Sequence, residues 1–290
     1  MTQDLKGRTG IITGAGRGIG RRIAERCAGD GMRVALVART DSELAETARG
    51  IEAAGGTAMV CPADVTDLAA LRRIVSRVLR TWERIDLLVN DAGVLKSIGP
   101  LWETDPVEWR TDLEVNVFGV YAGCRAVVPA MTAAGGGRVV NMAGGGTHGP
   151  FPYVSAYAAS KAAVMRLTEN LAFELDRAGA NIKVFGLTPG FVPTGMTRQF
   201  AATDRGRRWM DFMIRRLESG DHTTPDQAAA VVAAIARGQL DAFHGRFLSA
   251  PDDAPRLAEL QAEGTDLEIG RASCRERVSR NCIYRWSPYN

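Results

Sequence analysis

The sequence of 290 residues lacks any uninterrupted apolar run long enough to cross a bilayer, although 46% of its residues are hydrophobic. A spanning helix needs about 20 consecutive apolar residues. The segment from Met1 to Lys6 also lacks the basic-then-apolar order of a secretory signal. We therefore expect a soluble cytoplasmic protein without a membrane partner, long enough for one large α/β domain with a well-buried core.

Cysteine and histidine are scarce. The five cysteines show no C-x-x-C spacing, and no cluster of histidine, cysteine and aspartate has metal-ligand spacing, so we predict no metal site. A reducing compartment suits such a chain. Cys27 and Cys124 fall in helical patterns, which favours buried, unreactive thiols.

The body of the chain also lacks net charge. The formal charge of +3 is carried by the residues from Glu268 onward, which contain five arginines and two acids. Residues 1–267 then hold 31 basic and 31 acidic groups. A nucleic-acid-binding protein would need a basic body, so we expect no nucleic-acid partner.

The last residues differ in character from the rest. The stretch from Glu268 to Val278, and a later piece from Arg285 to Tyr289, resemble a translated sequencing adapter in two frames. We interpret residues 256–290 as a tail, of which about 268–290 is non-native and disordered, and exclude it from the fold. The alternative is a basic C-terminal arm, and resequencing the source DNA would distinguish the two.

The body alternates short β-branched runs with longer helical patterns. This order predicts one doubly wound α/β domain over residues 1–255, a mostly parallel, seven-stranded Rossmann-type sheet with helices on both faces. Capping patterns at Thr40–Glu43, Asp105–Glu108 and Thr224–Gln227 mark three helix starts. The predicted strands are Thr9–Thr13, Arg33–Ala38, Thr57–Cys61, Leu87–Asn90, Arg138–Met142, Lys183–Leu187 and Arg246–Leu248.

A glycine-rich turn, Thr13 to Gly20, follows the first predicted strand and precedes a helical pattern that begins at Arg21. Its glycines at 14, 18 and 20 give the spacing G-x-x-x-G-x-G. Glycines let the backbone approach a pyrophosphate, and the first-turn N–H groups of the helix point at it. Taken alone, the turn is equally compatible with tight strand–helix packing.

The second predicted strand ends at Ala38 and Arg39, where an acid would hold the ribose hydroxyls of NAD and a basic residue would accommodate the 2′-phosphate of NADP. Arg17 lies in the glycine turn. Two guanidinium groups that converge on one phosphate favour NADP(H) over NAD(H). The alternative is a pair of solvated arginines.

Tyr157 and Lys161 are four residues apart in a helical pattern that runs to about Asp176, so both project from one face. A phenol has a pKa near 10, and a neighbouring ammonium group lowers it. Such a tyrosine can exchange a proton with a carbonyl or alcohol oxygen while hydride moves at the carbon.

Over residues 5–250 the chain resembles the short-chain dehydrogenase/reductase family. Six motifs occur in family order: Thr13–Gly20, Asp64-Val65, Asn90–Gly93, Asn116, Tyr157/Lys161 and Pro189–Thr194. The resemblance implies a Rossmann fold, a dinucleotide coenzyme, a small carbonyl or alcohol substrate, and a homodimer or homotetramer. The oligomer would use the long helices around Asp105–Met131 and Ser155–Asp176.

The resemblance also implies roles for individual residues. Tyr157 would be the general acid/base, Lys161 would bind the nicotinamide ribose and lower the tyrosine pKa, and Asn116 would hold a water in the proton relay. Asp64 and Val65 would flank the adenine, and the segment from Pro189 to Thr194 would cover the nicotinamide. The implied coenzyme-binding residues are Gly14, Arg17, Gly18, Ile19, Gly20, Arg39, Asp64, Val65, Asn90, Ala92, Gly93, Tyr157, Lys161, Pro189, Gly190, Val192 and Thr194.

Two positions depart from the family pattern. Asp91 replaces the second asparagine of N-N-A-G, a change we expect to be structural. Gly144 stands thirteen residues before Tyr157, where the family has an active-site serine that hydrogen-bonds the substrate oxygen. Thr147, Ser155 or the backbone N–H groups of the triple glycine could replace it, although both hydroxyls are equally typical of ordinary loop and cap positions.

The resemblance implies a substrate-covering lid at about 196–220. Its segment from Met196 to Ser219 mixes aromatic residues with six arginines. It could favour an apolar substrate with an acidic group, but an amphipathic helix pair with its arginines in water is the preferred interpretation. His148 is interpreted as a solvated or substrate-lining residue, and no role is assigned to His222 or His244.

Together these features predict an NADP(H)-dependent oxidoreductase that interconverts a carbonyl and an alcohol. The alternative is a coenzyme-binding protein with little or no turnover that acts as a regulator or scaffold. Gly144 alone favours the alternative, whereas Tyr157, Lys161 and Asn116 favour the enzyme.

Overall fold

The computed structural model describes residues 5–262, with side chains described to residue 256. Seven parallel strands form one sheet in the order β3-β2-β1-β4-β5-β6-β7. This confirms the predicted doubly wound, Rossmann-type architecture. The strands are β1 (Thr9–Thr13), β2 (Arg33–Ala38), β3 (Thr57–Pro62), β4 (Leu87–Asn90), β5 (Gly137–Met142), β6 (Ile182–Thr188) and β7 (Phe247–Ser249).

Helices cover both faces of the sheet and form a separate core on each. Residues of α1, α2, α10 and α11 pack on one face, and residues of α3, α5 and α6 pack on the other. The helices are α1 (Gly18–Gly29), α2 (Asp41–Ala53), α3 (Leu68–Trp82), α4 (Pro106–Leu113), α5 (Gly119–Ala133), α6 (Ser155–Arg177), α7 (Gly195–Ala202), α8 (Asp204–Trp209), α9 (Asp211–Glu218), α10 (Pro225–Ala236) and α11 (Ala250–Ala262).

The strand order reverses between β1 and its two neighbours, β2 and β4. In an open parallel sheet this reversal opens a crevice beyond the carboxyl ends of the strands, and ligands bind there. The glycine turn follows β1, and the segment from Asp91 to Gly93 follows β4. The topology therefore gathers at one edge several motifs that lie far apart in the sequence.

The capping patterns mark helix starts as predicted, but not all of them cap through a side chain. The carboxylate of Asp105 accepts hydrogen bonds from the N–H groups of Val107 and Glu108 at the start of α4. Thr40 and Thr224 occupy the N-cap positions of α2 and α10 without a side-chain cap bond. Pro106 and Pro225 stand at the first helical positions, where the missing N–H costs nothing.

Two helix limits and the number of helices after β6 differ from the sequence expectations. Helix α1 begins at Gly18 rather than Arg21, because glycines at 18 and 20 can adopt the turn and then the helix. Helix α11 continues to Ala262, beyond the expected domain limit at residue 255. The segment after β6 forms three short helices, α7 to α9, instead of a pair.

Within residues 5–262, no helix has the length and apolar character that a membrane span requires. The proposed non-native stretch 268–290, and its expected disorder, lie outside the described residues.

Candidate active site

The glycine turn brings three backbone segments into close contact. Gly14 has a φ of 71°, and a Cβ there would lie 2.9 Å from the backbone nitrogen of Ala92. A Cβ on Gly20 would lie 2.5 Å from the carbonyl oxygen of Gly14. Only glycine avoids these contacts, so residues 13–20, here called the glycine cradle, pack tightly against one another and against the segment after β4.

The N-terminus of α1 faces this cradle. Its N-cap residue, Arg17, makes no side-chain cap bond. Gly18 and Ile19 occupy the first two helical positions, and such positions leave N–H donors without an intrahelical partner. Donors of this kind, together with the helix dipole, bind phosphate groups.

Thr13 fixes the adjacent end of β4, a role that sequence reasoning missed. Its hydroxyl oxygen accepts hydrogen bonds from the backbone N–H groups of Asp91, at 3.0 Å, and Ala92, at 3.1 Å. The hydroxyl donates to the carbonyl oxygen of Val89. The position of Thr13 at the end of a strand and directly before the turn was the available signal.

The two arginines that favour NADP are exposed at the rim of the cleft. Arg17 is 74% exposed, with Nη1 3.4 Å from Glu43. Arg39 is 63% exposed, with Nη1 3.9 Å from Asp64. Exposed pairs of this kind contribute little to stability, so both guanidinium groups can exchange a carboxylate partner for a phosphate.

Asp64 and Val65 follow β3 in different environments. One carboxylate oxygen of Asp64 accepts hydrogen bonds from the N–H and hydroxyl of Thr66, which closes a local turn. Val65 is 7% exposed and packs against α5, where a Cβ on Gly119 would lie 2.8 Å from Val65 Cγ2.

The side chain of Asn90 is buried and hydrogen-bonded to its neighbours. Its amide donates to Asn141 Oδ1 at 2.8 Å and to Cys124 Sγ at 3.5 Å. The amide of Asn141 in turn donates to the hydroxyl of Thr168. Asn90 therefore joins β4 to β5 and α5, and Asn141 extends this connection to α6.

Asn116 lies in a π-helical turn, Glu114–Phe118, between α4 and α5. Its Oδ1 accepts the N–H of Val94 at 2.8 Å, and its Nδ2 donates to the carbonyl oxygen of Val94 and to the hydroxyl of Ser160. A π-helical turn widens the helix, and such turns occur frequently at functional sites. The amide thus links the segment after Gly93 to α6.

Tyr157 and Lys161 project together from α6 into the cleft. The Lys161 ammonium nitrogen lies 5.4 Å from the centroid of the Tyr157 ring and donates a hydrogen bond to the carbonyl oxygen of Met142 at 2.9 Å. Burial lowers the pKa of Lys161 to about 8, while Asp91 acts in the opposite direction. The spacing on the helix predicted that Tyr157 and Lys161 lie together. It did not predict the hydrogen bond from Lys161 to Met142, which belongs to β5.

The pKa of Tyr157 is raised, not lowered. Burial is the largest cause, and the carboxylates of Asp91 and Asp112 add to it. Desolvation and nearby negative charge both disfavour a phenolate. In the described structure these effects outweigh the lowering that Lys161 was expected to impose.

Gly144 is in direct contact with Tyr157. A Cβ at position 144 would lie 2.7 Å from the tyrosine hydroxyl. The two hydroxyls considered as substitutes for the missing serine have other partners. Thr147 donates to the carbonyl oxygen of Gly144 at 2.7 Å, and Ser155 accepts from the indole N–H of Trp109 at 3.1 Å.

The segment from Pro189 to Thr194 lies over the glycine turn. A Cβ on Gly18 would lie 3.5 Å from Thr194 Cγ2. Thr223 holds the segment from the other side, because its hydroxyl donates to the carbonyl oxygen of Pro189 and its N–H to that of Phe191. The first and the last motif of the expected coenzyme site, the glycine turn and the segment from Pro189 to Thr194, are therefore adjacent in space.

The helices after this segment cover an apolar cluster next to Tyr157. Phe200 and Met210 are fully buried against Leu95, Ile98 and Val154. The lid arginines lie outside and pair with acids, such as Arg205 with Glu108 and Arg215 with Asp211. This arrangement agrees with the preferred interpretation, in which the arginines face water.

Two of the histidines make contacts with β7 and β6. The ring of His148 packs edge-on against Phe247, with centroids 4.4 Å apart. The Nδ1 of His244 accepts the N–H of Val184, a partner that its sequence neighbourhood did not reveal.

The buried thiols of Cys27 and Cys124 agree with the sequence interpretation. Burial raises the pKa of Cys27 and of Cys124 to about 12, which makes both thiols unreactive. Across residues 5–262 no group of three metal-ligating side chains comes together.

The chain is similar to known oxidoreductases over most of its length. A family model described as short chain dehydrogenase matches residues 8–205. The 3beta-hydroxysteroid dehydrogenase 1 of Eggerthella lenta is 33% identical over 250 residues, which cover 86% of this chain and 94% of that protein.

Solved structures are similar in fold as well. A putative NAD(P)-dependent gluconate 5-dehydrogenase from Beutenbergia cavernae, with bound NADP, aligns with a TM-score of 0.75 at 35% identity, covering 85% of this chain and 96% of that one. An NAD+-bound xylitol dehydrogenase aligns with a TM-score of 0.76 at 28% identity, covering 85% and 98%. The neighbours therefore include both coenzymes.

Proposed function

Because the chain belongs to the short-chain dehydrogenase/reductase family, we propose that it is an NADP(H)-dependent oxidoreductase that interconverts a carbonyl and an alcohol on a small molecule. The observation that carries the proposal is the convergence of Tyr157 and Lys161 beside the glycine cradle. The cradle suits a dinucleotide, because the first turn of α1 offers N–H donors for its phosphates.

The residues of the cleft have complementary tasks in this proposal. A bound nicotinamide coenzyme supplies or accepts the hydride. Tyr157 donates a proton to the carbonyl oxygen during reduction and accepts it during oxidation. Lys161 binds the nicotinamide ribose and favours the tyrosinate, and Asn116 holds a water that connects the lysine to solvent.

The remaining predicted residues bind the coenzyme. The first turn of α1 and the glycines hold the pyrophosphate, while Arg17 and Arg39 bind the 2′-phosphate that distinguishes NADP. Asp64 and Val65 flank the adenine, and Ala92 and Gly93 line the cleft beside it. The segment from Pro189 to Thr194 covers the nicotinamide.

Replacing the phenol hydroxyl tests the reaction directly. With Tyr157→Phe we expect kcat to fall by about 10²-fold to 10⁴-fold, because a positioned acid/base contributes about that factor. NADPH binding, followed by coenzyme fluorescence, should persist. The measurement is NADPH oxidation with a panel of ketones and aldehydes.

Tyr121→Phe is the matched control, since it removes a phenol hydroxyl from an exposed position on α5. It should leave both binding and turnover unchanged. Full activity of Tyr157→Phe would contradict the assignment of the acid/base.

A second candidate function is supported by Gly144. Without a serine hydroxyl at this position, and with Thr147 bonded to Gly144 itself, the substrate oxygen loses a side-chain donor. Loss of one such donor costs about 10²-fold to 10³-fold in turnover. Tight NADPH binding without turnover on the whole substrate panel would favour a coenzyme-binding regulator or scaffold.

We also infer the assembly and location of the enzyme. Helices α5 and α6 expose large apolar side chains, including Phe173 and Tyr121, so they are suited to a homodimer or homotetramer interface. The balanced charge of residues 1–267 and the free cysteines at 27, 61 and 124 agree with a cytoplasmic enzyme.

A further inference from the structure

Asp91 lies against the glycine turn. Its carboxylate accepts a hydrogen bond from the backbone N–H of Gly20. A Cβ on Gly20 would lie 2.6 Å from Asp91 Oδ2, and a Cβ on Gly14 would lie 3.0 Å from the same atom. The carboxylate therefore contacts two of the glycines that form the phosphate cradle.

This contact completes the N-terminus of α1. Gly20 is the third residue of the helix, and its N–H is one that an N-cap side chain normally satisfies. Arg17 occupies the N-cap and makes no such bond. Asp91 supplies the missing acceptor from the segment after β4, and the helix dipole favours a negative charge there.

Burial opposes that charge, whereas the neighbouring Lys161 favours it. Two titratable groups face Asp91, Lys161 and Tyr157, and both come from α6. Burial raises the pKa of Asp91 to about 7, although Lys161 and the Gly20 N–H act to lower it. The carboxyl group is therefore close to balance between its charged and neutral forms near neutral pH.

We propose that Asp91 takes up a proton from solvent when a dinucleotide pyrophosphate binds over the glycine turn, so that Asp91 makes coenzyme affinity fall as the pH rises. A phosphate at the same helix end is a like charge, which disfavours the carboxylate. The neutral carboxyl group keeps a carbonyl oxygen that can accept the Gly20 N–H. Asp91 is thus a positioning residue whose charge opposes the coenzyme.

The direction of this pH dependence follows because protonation of Asp91 and coenzyme binding are thermodynamically linked. Below pH 7 the carboxyl group is already protonated, and coenzyme binds without further cost. Above pH 7 each binding event must first protonate it, so the affinity decreases. This inference rests on the coenzyme binding proposed above.

The test compares NADPH dissociation constants of the wild type and Asp91→Asn at pH 6, 7 and 8, measured by coenzyme fluorescence. Asparagine keeps the shape and one acceptor oxygen but cannot ionise. The ratio of wild-type to variant Kd should rise about tenfold from pH 6 to pH 8, because one proton is lost over the range around a pKa near 7. Taking the ratio cancels the titration of the 2′-phosphate.

Asp112→Asn is the matched control. Asp112 is also buried and accepts two backbone N–H groups, from Lys96 and Ser97. The Kd ratio of wild type to this variant should not change between pH 6 and pH 8.

A second measurement needs no variant. Calorimetric titration of the wild type with NADPH and with NADH at pH 8, in two buffers of different ionisation enthalpy, should report proton uptake with both coenzymes. A Kd ratio that stays constant from pH 6 to pH 8, or binding without proton uptake, would overturn the inference while leaving the enzyme proposal intact. Failure of the wild type to bind either coenzyme would overturn both.

Discussion

At the scale of single residues, chemistry and packing compete at position 144. The glycine removes a hydroxyl donor, yet its missing Cβ is also what gives the Tyr157 hydroxyl its present position, since a Cβ would lie 2.7 Å from that oxygen. A serine would therefore both add a donor and press on the acid/base. The two effects can be separated by comparing two substitutions.

We expect Gly144→Ala to lower kcat, because its Cβ displaces the Tyr157 hydroxyl and provides no donor. Gly144→Ser adds the same Cβ together with a hydroxyl, so its kcat should exceed that of the alanine variant by about tenfold or more. Steady-state rates of the two variants on one carbonyl substrate give this ratio. Equal rates would show that the site obtains its second donor elsewhere, for example from the backbone of the triple glycine.

Arg39 determines coenzyme choice in our proposal. Arg39→Asp should reduce the NADPH preference by about tenfold or more, because it replaces a charge-assisted phosphate contact with a repulsive carboxylate. The measurement is the ratio of kcat/KM for NADPH and NADH. Arg49→Asp makes the same charge change on an exposed position of α2 and should leave the ratio unchanged. An unaltered ratio in Arg39→Asp would mean that Arg39 does not reach the 2′-phosphate.

At the scale of elements, the lid α7–α9 is held by its own apolar cluster rather than by the two cores of the sheet. Phe200 is 1% exposed and packs with Leu95, Ile98 and Val154, whereas the arginines of the lid point outward. We therefore propose that α7–α9 act as a lid that opens without disturbing the coenzyme cradle, so that its stability affects substrate binding more than coenzyme binding.

Phe200→Ala tests this separation. Removing a buried phenylalanine lowers the free energy of unfolding by about 3–5 kcal/mol, and we expect this destabilisation to be local to the lid. KM for the carbonyl substrate should rise, with little change in the Kd of NADPH. Trypsin should cleave faster after the lid arginines, which local opening exposes.

Phe212→Ala is the control, because Phe212 lies in the same lid but is 37% exposed. It should have a much smaller effect on KM and on proteolysis. A parallel loss of NADPH binding in Phe200→Ala would show that lid and cradle are coupled.

At the scale of the whole molecule, one face of the sheet remains partly apolar on its outer side. Phe173 on α6 is 62% exposed and Tyr121 on α5 is 45% exposed. Both helices pack on the same face of the sheet. Exposed apolar side chains on neighbouring helices are typical of a surface that another copy covers.

We expect Phe173→Glu to dissociate the oligomer, because a carboxylate buried between two copies has no partner. Size-exclusion chromatography with light scattering measures the change in mass. Phe212→Glu introduces the same charge on the lid and should leave the mass unchanged. A monomeric wild type would contradict the proposed interface.

How far the sequence predicts this molecule depends on the range of the interactions involved. Strand limits were predicted to within one residue, because each strand is a short, mostly apolar run set by local pattern. The pairing of Tyr157 with Lys161 was also predictable from local pattern, because two residues four positions apart in a helix lie on the same face. The start of α1 was wrong by three residues, because glycine hides a helix start from pattern reasoning.

The sequence by itself determined the sheet, the order of its motifs and the placement of Tyr157 and Lys161 on one face of α6. Only the tertiary structure decided what those residues experience there. In the fold, Asn90 donates to Asn141, the hydroxyl of Thr13 accepts hydrogen bonds from the segment after β4, and Asp91 lies against the glycine turn. It also reversed the expected direction of the Tyr157 pKa, because burial and charge depend on groups that the fold brings together from distant parts of the chain.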